Sequence, residues 1–299
     1  MTWAECRFLS CSVLPVARAC QCECRFCFSR SSISALPRGR ARWPAGALLD
    51  HYRWARSRGA TRLVVTGGGE PMLDPETVVG AVRLGREVWD EVTCFSNAAR
   101  IDAALAGRLA DAGLSYLCWS RHHWDDERNR AVMGAAAPAL AEVAAACRGL
   151  RLRATCVLHQ GGVETADDAR RYIAALRRVG VTEFTFKHTY VAYERSLFRG
   201  SQQDAWCRDH QIEAEVIEGD LFEGEGEVVS ALPWGPRVRD IDGVRVCFYR
   251  EPTPQWELQH RLCRSSNLLS DGSVHASLED AQSLLFRLPG SPRRSLPVT

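Results

Sequence analysis

The chain has 299 residues, with 46% hydrophobic and 25% charged residues and 38 basic residues balanced by 36 acidic ones. That composition excludes a disordered chain and a polybasic nucleic-acid binder, and it predicts one large α/β domain with a sizeable core. Two features depart from the ordinary: thirteen cysteines, and a single lysine, Lys187, among the basic residues.

In chain order, Phe8 to Val16 reads as a first strand broken by Pro15, followed by a cysteine-rich loop at Cys20–Cys27. A helix is predicted over Ala45–Arg58, closed by Gly59, and a β-branched strand over Arg62–Thr66, stopped by three glycines. Helix Pro75–Val88, with Asp74 as N-cap, precedes strand Val92–Ser96, and helix Asp102–Ala112 precedes strand Leu114–Trp119. Helix Pro138–Cys147, strand Leu150–Leu158, helix Thr165–Val179 with a Thr165–Asp168 capping box, and strand Thr182–Lys187 complete the series. Strands alternating with helices imply parallel strands joined by right-handed crossovers. A closed eight-fold barrel needs about 250 residues. The pattern stops near residue 188, so the predicted fold is a partial (β/α)6 TIM-like barrel over 1–188. A smaller irregular C-terminal extension over 189–288 follows, with strand Gly243–Tyr249 and a hairpin turning at Asp271-Gly272. The last segment, 289–299, reads as a flexible tail.

No apolar run approaches the ~20 residues that span a bilayer, and no secretion signal opens the chain. The expected location is the cytoplasm, with reduced thiols and neither membrane nor nucleic-acid partners. Clustered cysteines are then metal ligands or catalytic groups. Cys20, Cys24 and Cys27 are spaced C-x3-C-x2-C. Three thiolates on one loop suit three corners of an iron–sulfur cubane. Zinc is the rival, but structural zinc takes four ligands, usually in two paired sets, and no second such set follows. Cys22, inside the loop, reads as a spare exposed thiol. Cys94, Cys118, Cys147 and Cys156 fall in apolar segments and read as packing residues.

With Phe26 just before the last cysteine, this loop resembles that of the radical S-adenosylmethionine enzymes. Gly67-Gly68-Gly69-Glu70-Pro71 follows the second strand, where that family carries its Gly-Gly-Glu motif. The resemblance covers roughly residues 7–188. It implies one [4Fe-4S] cluster held by Cys20, Cys24 and Cys27, and S-adenosylmethionine bound at the open iron. Gly68, Gly69 and Glu70 would meet its amino group, and Ser96, Asn97, Ser120 and Arg121 its ribose or carboxylate. It also implies a one-electron donor such as flavodoxin or ferredoxin, and a 5′-deoxyadenosyl radical that abstracts hydrogen from substrate. Further polar residues at predicted strand ends are His122, His123, Gln160, Lys187 and His188; of these, Lys187 and His122 are candidate substrate ligands.

Three cysteines follow Lys187: Cys207, Cys247 and Cys263. An auxiliary cluster normally takes four, which weighs against a peptide-modifying or dehydrogenating relative with a second cluster. On Gly243–Tyr249, Cys247 alternates with the apolar residues and shares a face with Arg245 and Tyr249. A thiol so placed can return a hydrogen atom to the opposite face of a substrate radical, the chemistry of an epimerase. Seven carboxylates fall between Glu213 and Glu227, with no lysine or arginine among them, and Glu215 and Glu218 are candidates for meeting a cationic small-molecule substrate. Together these features resemble the aminoglycoside epimerases, of the neomycin C epimerase type.

Overall fold

A computed structural model describes residues 2–290. The elements run β1 (Arg7–Val13), β2 (Val16–Ala17), β3 (Gly39–Arg40), α1 (Ala45–Ser57), β4 (Leu63–Val65), α2 (Pro75–Arg86), β5 (Val92–Ser96), α3 (Ala103–Asp111) and β6 (Tyr116–Ser120). They continue with α4 (Asp126–Met133), α5 (Leu140–Ala146), β7 (Leu152–Val157), α6 (Ala166–Arg177), β8 (Glu183–Lys187), α7 (Gln202–Asp209) and α8 (Ala214–Phe222). The last are β9 (Glu227–Ala231), β10 (Arg237–Ile241), β11 (Val244–Tyr249), α9 (Pro254–His260), β12 (Leu262–Leu268), β13 (Ser273–His275) and β14 (Leu284–Arg287).

The partial α/β barrel is present, with β1, β4, β5, β6, β7 and β8 as consecutive parallel neighbours. Their outward faces are apolar: Leu63, Val65, Val92, Cys94, Leu117, Ala154, Cys156, Phe184 and Phe186 are all buried in one core with Val78, Val82, Leu109, Tyr172 and Leu176 of the helices. Caps fix the helix starts. Asp74, Asp102 and Thr165 each accept from the backbone N–H three residues on, and Thr165 Oγ1 donates to Asp168 Oδ2 at 2.8 Å.

The sheet continues across residue 188. β11 adds in parallel beside β8, and β12 in parallel beside β1. The extension read as irregular therefore supplies a parallel strand to each side of the barrel sheet. β9, β10, β13 and β14 then add antiparallel strands outside them. The predicted turn is confirmed, with Leu269 N donating to Ser273 O and Gly272 at φ +82 between β12 and β13. Where β11 and β12 face each other across the seam, Glu251 pairs with Arg264, and Glu251 also pairs with Lys187 at 2.9 Å.

Among the described residues no helix is long and apolar enough to cross a membrane. Most of the segment read as a flexible tail, residues 291–299, lies outside the described residues.

Candidate active site

The C-terminal ends of the parallel strands and the loops beyond them form one pocket. The loop after β2 contributes Cys20, Cys22, Cys24 and Cys27, the turn after β4 Gly67, Gly69 and Glu70, and the end of β5 Ser96 and Asn97. Ser120, His122, Thr155, Val157, Lys187 and Tyr249 close the far side.

The glycine turn is stitched to the cysteine loop. Ala17 and Gly68 form a parallel bridge, Arg18 N donates to Gly68 O, and Glu70 N donates to Ala19 O at 2.7 Å. A Cβ at Gly69 would overlap the Ala19 backbone, and one at Gly68 would overlap the Ser34 carbonyl. Only glycine allows two backbone segments to approach so closely. Gly68 therefore packs the turn against its neighbours, while Gly67, Gly69 and Glu70 face the pocket.

Glu70 is 4% exposed. Its Oε1 accepts from Ser96 Oγ at 2.7 Å and Met72 N at 3.0 Å, and its Oε2 from Asn97 N at 2.9 Å. Burial lifts its carboxyl to about 7. A carboxylate has about four acceptor positions, so one remains for an ammonium group from the pocket. The Glu70 carboxyl thus ties the glycine turn to the end of β5.

Asn97 Nδ2 donates to Cys20 Sγ at 3.5 Å and Asn97 Oδ1 accepts from Gln21 Nε2 at 3.1 Å. A hydrogen bond from Cys22 pulls Cys20 down to about 6, whereas burial pushes Cys24 up to about 12. Cys22 is not the exposed thiol expected from sequence. It is 3% exposed, packed with Met133 of α4 and Ala137, because the loop folds back so that Glu23 N donates to Met133 O.

Arg121 also departs from expectation. Its guanidinium is fully buried away from the pocket, donating to Asp126 Oδ1 at 2.6 Å, Trp124 O at 3.1 Å and Pro138 O at 3.4 Å. It braces the start of α4, a helix the density of polar residues between Ser120 and Asn129 had concealed. His123 turns aside to stack on Trp124, and Gln160 is exposed. His122 does reach the pocket, with Nδ1 accepting from Val157 N at 3.0 Å and its ring edge-on to Phe26. Burial holds it down to about 3, so it is neutral.

Below this pocket a cavity of about 260 Å³ runs down the barrel axis. The two spaces share eight residues, among them Thr66, Gly67, Phe95, Lys187, Tyr249 and Glu251. Sequence reasoning missed much of this lumen. Its wall includes Ser10 and Ser12 of β1, Tyr116 and Cys118 of β6, and Arg264, Ser265 and Asn267 of β12. Alternation with buried apolar neighbours was the available signal on β6, whereas β12 carries too little apolar patterning to show it. Cys118, read as packing, is buried yet faces this cavity; Cys94, Cys147 and Cys156 are buried as expected.

Cys247 is 8% exposed and lies on the same face of β11 as Tyr249, in register with Thr185, which is paired with Thr155; Cys247 itself lines neither the pocket nor the cavity. Thr185 lines the cavity and Thr155 lines the pocket. Lys187 contacts Glu251 and the Tyr249 ring, and burial, with Arg264 and Arg153 nearby, lowers it to about 7. Glu215 and Glu218 are not brought to the lumen. They line a separate outer pocket with His188 and with three guanidiniums, those of Arg237, Arg239 and Arg250. His188 alone of these also borders the cysteine pocket.

The later cysteines do not gather. Cys263 lies beside Cys6, Cys207 sits in α7, and Cys247 lies on β11. Among the described residues no three His, Cys, Asp or Glu side chains converge on one ion. The donors that do share a pocket are soft thiols, which suit iron–sulfur ligation with each thiolate on its own iron. The glycine cradle and the remaining Glu70 acceptor suit an amino-acid head group beside them. The residues present therefore fit a cubane cluster and S-adenosylmethionine.

A family model described as the Radical SAM superfamily matches residues 14–191. No curated protein matches. Among solved structures, the chain is similar to Streptococcus suis SuiB bound to S-adenosylmethionine, with TM-score 0.61 and 14% identity over 91% of this chain and 60% of that one. It is also similar to a radical SAM methyltransferase from Sphaerobacter thermophilus, with TM-score 0.53 and 18% identity over 81% of this chain and 66% of that one. The chain thus spans less than two thirds of the length of either structure. With the family model covering more than half of its residues, the chain belongs to the Radical SAM superfamily, whose members use a [4Fe-4S] cluster and S-adenosylmethionine.

Proposed function

We propose that this radical SAM enzyme epimerises a carbon of a polyhydroxylated, sugar-like small molecule held in the barrel lumen, with Cys247 as the returning hydrogen donor. Bound cluster and S-adenosylmethionine supply a 5′-deoxyadenosyl radical, the hydrogen-abstracting species. Cys20, Cys24 and Cys27 hold the cluster at the mouth of the lumen. Glu70, Ser96 and Asn97 orient the cosubstrate, and Phe26, His122 and Val157 wall off water.

The observation that carries the reading is the row Thr155–Thr185–Cys247, which puts a thiol on the Tyr249 face of β11, one strand away from a cavity-lining hydroxyl. In the return step the Cys247 S–H bond breaks and a C–H bond forms on the substrate radical. The resulting thiyl is reduced by one electron and one proton from an external donor, such as flavodoxin or ferredoxin. The wall of serine, threonine and asparagine side chains suits hydroxyl-bearing substrates. The aminoglycoside reading rested on an acidic wall, and Glu215 and Glu218 instead face arginines outside the barrel, so the charge that would attract a polycation is not at the lumen.

The test is turnover in deuterium oxide. The wild type is expected to place one deuterium at the inverted carbon. Cys247→Ala is expected to go on releasing 5′-deoxyadenosine while forming no epimer. Normal epimerisation by Cys247→Ala refutes the donor role. Aminoglycosides belong in the substrate panel, and their epimerisation would restore the cationic reading.

A further inference from the structure

We propose that the floor of the lumen is an anion-binding subsite, centred on Arg153, that takes a carboxylate or phosphate group of the substrate. The inference rests on the reading above that substrate enters the lumen, and it names the substrate's charge.

The floor lies at the end of the barrel away from the cysteine loop. On β7 the residues facing inward are Arg153, Thr155 and Val157. The last two line the upper pocket and Arg153 the lower cavity. At about 3.3 Å per residue, the Arg153 backbone stands about 13 Å below that of Val157.

Among the described residues Arg153 forms no ion pair with a carboxylate. Its Nη1 donates to Tyr116 Oη at 3.0 Å, its guanidinium carbon lies 5.3 Å from the centre of the Tyr116 ring, and its buried Nε has no partner among the described residues. A guanidinium carries five N–H donors in a fixed fork, so most of this one is uncommitted. An incompletely paired, partly desolvated cation is costly, and a bidentate carboxylate or phosphate is the group that relieves it.

The surrounding charge has the same sign. Arg62, Arg264 and Lys187 also line the cavity. The carboxylates that face them are Glu91, which pairs with Arg62 at 3.7 Å and accepts from Tyr116 Oη at 3.2 Å, and Glu251, which is shared by Lys187 and Arg264. Glu183, in register with Arg153 on β8, is held by Arg151 and Arg245 instead; apart from it, three guanidiniums and one ammonium meet two carboxylates. Even with Lys187 neutral, the lumen keeps an excess positive charge, and that charge is Arg153. A low-dielectric tube lined in this way focuses its field on an entering anion.

Position links the subsite to the reaction. Cys247 and Thr185 lie in the row next above Arg153 and Glu183, two residues or about 7 Å nearer the cluster. An anionic group anchored on Arg153 would leave the carbons of a small sugar acid or sugar phosphate level with Cys247 and Tyr249.

The experiment is calorimetric titration of the reconstituted enzyme, saturated with S-adenosylmethionine, with inorganic phosphate, acetate and putrescine in turn. Phosphate, acetate or both are expected to bind, more weakly as salt is raised, and the better of the two identifies the anion. Arg153→Gln is expected to weaken that binding at least tenfold, Arg153→Lys less, and Cys247→Ala not at all. Thermal unfolding of each variant separates lost binding from lost fold, and Arg153→Lys carries the test if Arg153→Gln does not fold. Undiminished anion binding in Arg153→Gln, no anion binding by the wild type, or preferential putrescine binding overturns the proposal. Anion binding that depends on Arg153 in an enzyme whose Cys247→Ala variant still epimerises would uphold the subsite and refute the donor role alone.

Discussion

Replacing Asp126 tests whether Arg121 is a brace for the site or a ligand within it. The Arg121 side chain is fully buried, and its one charged partner among the described residues is Asp126, 37% exposed. Asp126 Oδ1 accepts from Arg121 at 2.6 Å and from Leu140 N at 2.9 Å. Asp126→Ala leaves the guanidinium with two backbone carbonyls and orphans the Leu140 N–H at the start of α5. Removing one member of a buried pair costs about 3–5 kcal/mol. Because Asp126 is partly exposed and water can reach the vacated space, the expected loss falls to about 2–4 kcal/mol. Asp126→Asn keeps an oxygen acceptor for both donors and loses only the charge assistance, so about 1 kcal/mol is expected. The assay is urea unfolding of wild type, Asp126→Asn and Asp126→Ala, paired with titration of S-adenosylmethionine into the reconstituted enzymes. Stability should fall in the stated order, with S-adenosylmethionine affinity of Asp126→Asn within about threefold of wild type, under 1 kcal/mol. Equal stability of all three proteins, or a tenfold loss of affinity in Asp126→Asn without loss of stability, would refute the brace.

Three further outcomes follow from the same geometry. Gly69→Ala should weaken S-adenosylmethionine binding at least tenfold in titration, because its Cβ meets the Ala19 backbone and displaces the turn. Cys22→Ser should keep about four irons per chain on anaerobic reconstitution, whereas Cys24→Ser should not assemble the cluster. Burial depresses His51 and His122 to about 3 and His275 to about 4. The unfolded chain, with histidines near 6.5, therefore takes up protons first as pH falls. Their contribution to stability is full above about 6.5 and is lost from there down to about pH 4 for His275 and about pH 3 for His51 and His122, at up to about 1.4 kcal/mol per pH unit each, while Glu70 and Glu279, raised by burial to about 7, oppose it over part of the same window. Urea titrations at several pH values should show stability falling less steeply below pH 6.5 in His51→Gln than in wild type, the difference being the His51 contribution.

The barrel was legible because its outward strand faces and inward helix stripes are apolar at periods of two and 3.6, and because Asp74, Asp102 and Thr165 mark helix starts. Motif spacing likewise located the cysteine loop and Glu70 together, since both lie within a few residues of strand ends. The two flanking parallel strands were not equally visible. β11 was found from Val244, Val246 and Phe248, but its partner could not be. β12, Leu262–Leu268, packs polar side chains such as Ser265 and Asn267 toward the lumen and therefore looks like a loop. Charge misled in both directions. The run from Glu213 to Glu227 drew attention, yet Glu215 and Glu218 share an outer pocket with arginines 19 or more residues later, while Arg153 gave no local signal at all. Arg121 follows a strand end as a ligand would, and only the fold shows Asp126 closing on it.

The central claim is that Cys20, Cys24 and Cys27 alone hold one cluster that cleaves S-adenosylmethionine. The most direct measurement is iron content together with release of 5′-deoxyadenosine, after anaerobic reconstitution and one-electron reduction, for wild type and for a variant with all three cysteines replaced by alanine. About four irons per wild-type chain, with 5′-deoxyadenosine released, and loss of both in the variant are predicted. About eight irons in the wild type, or a cluster that survives in the triple variant, would contradict it.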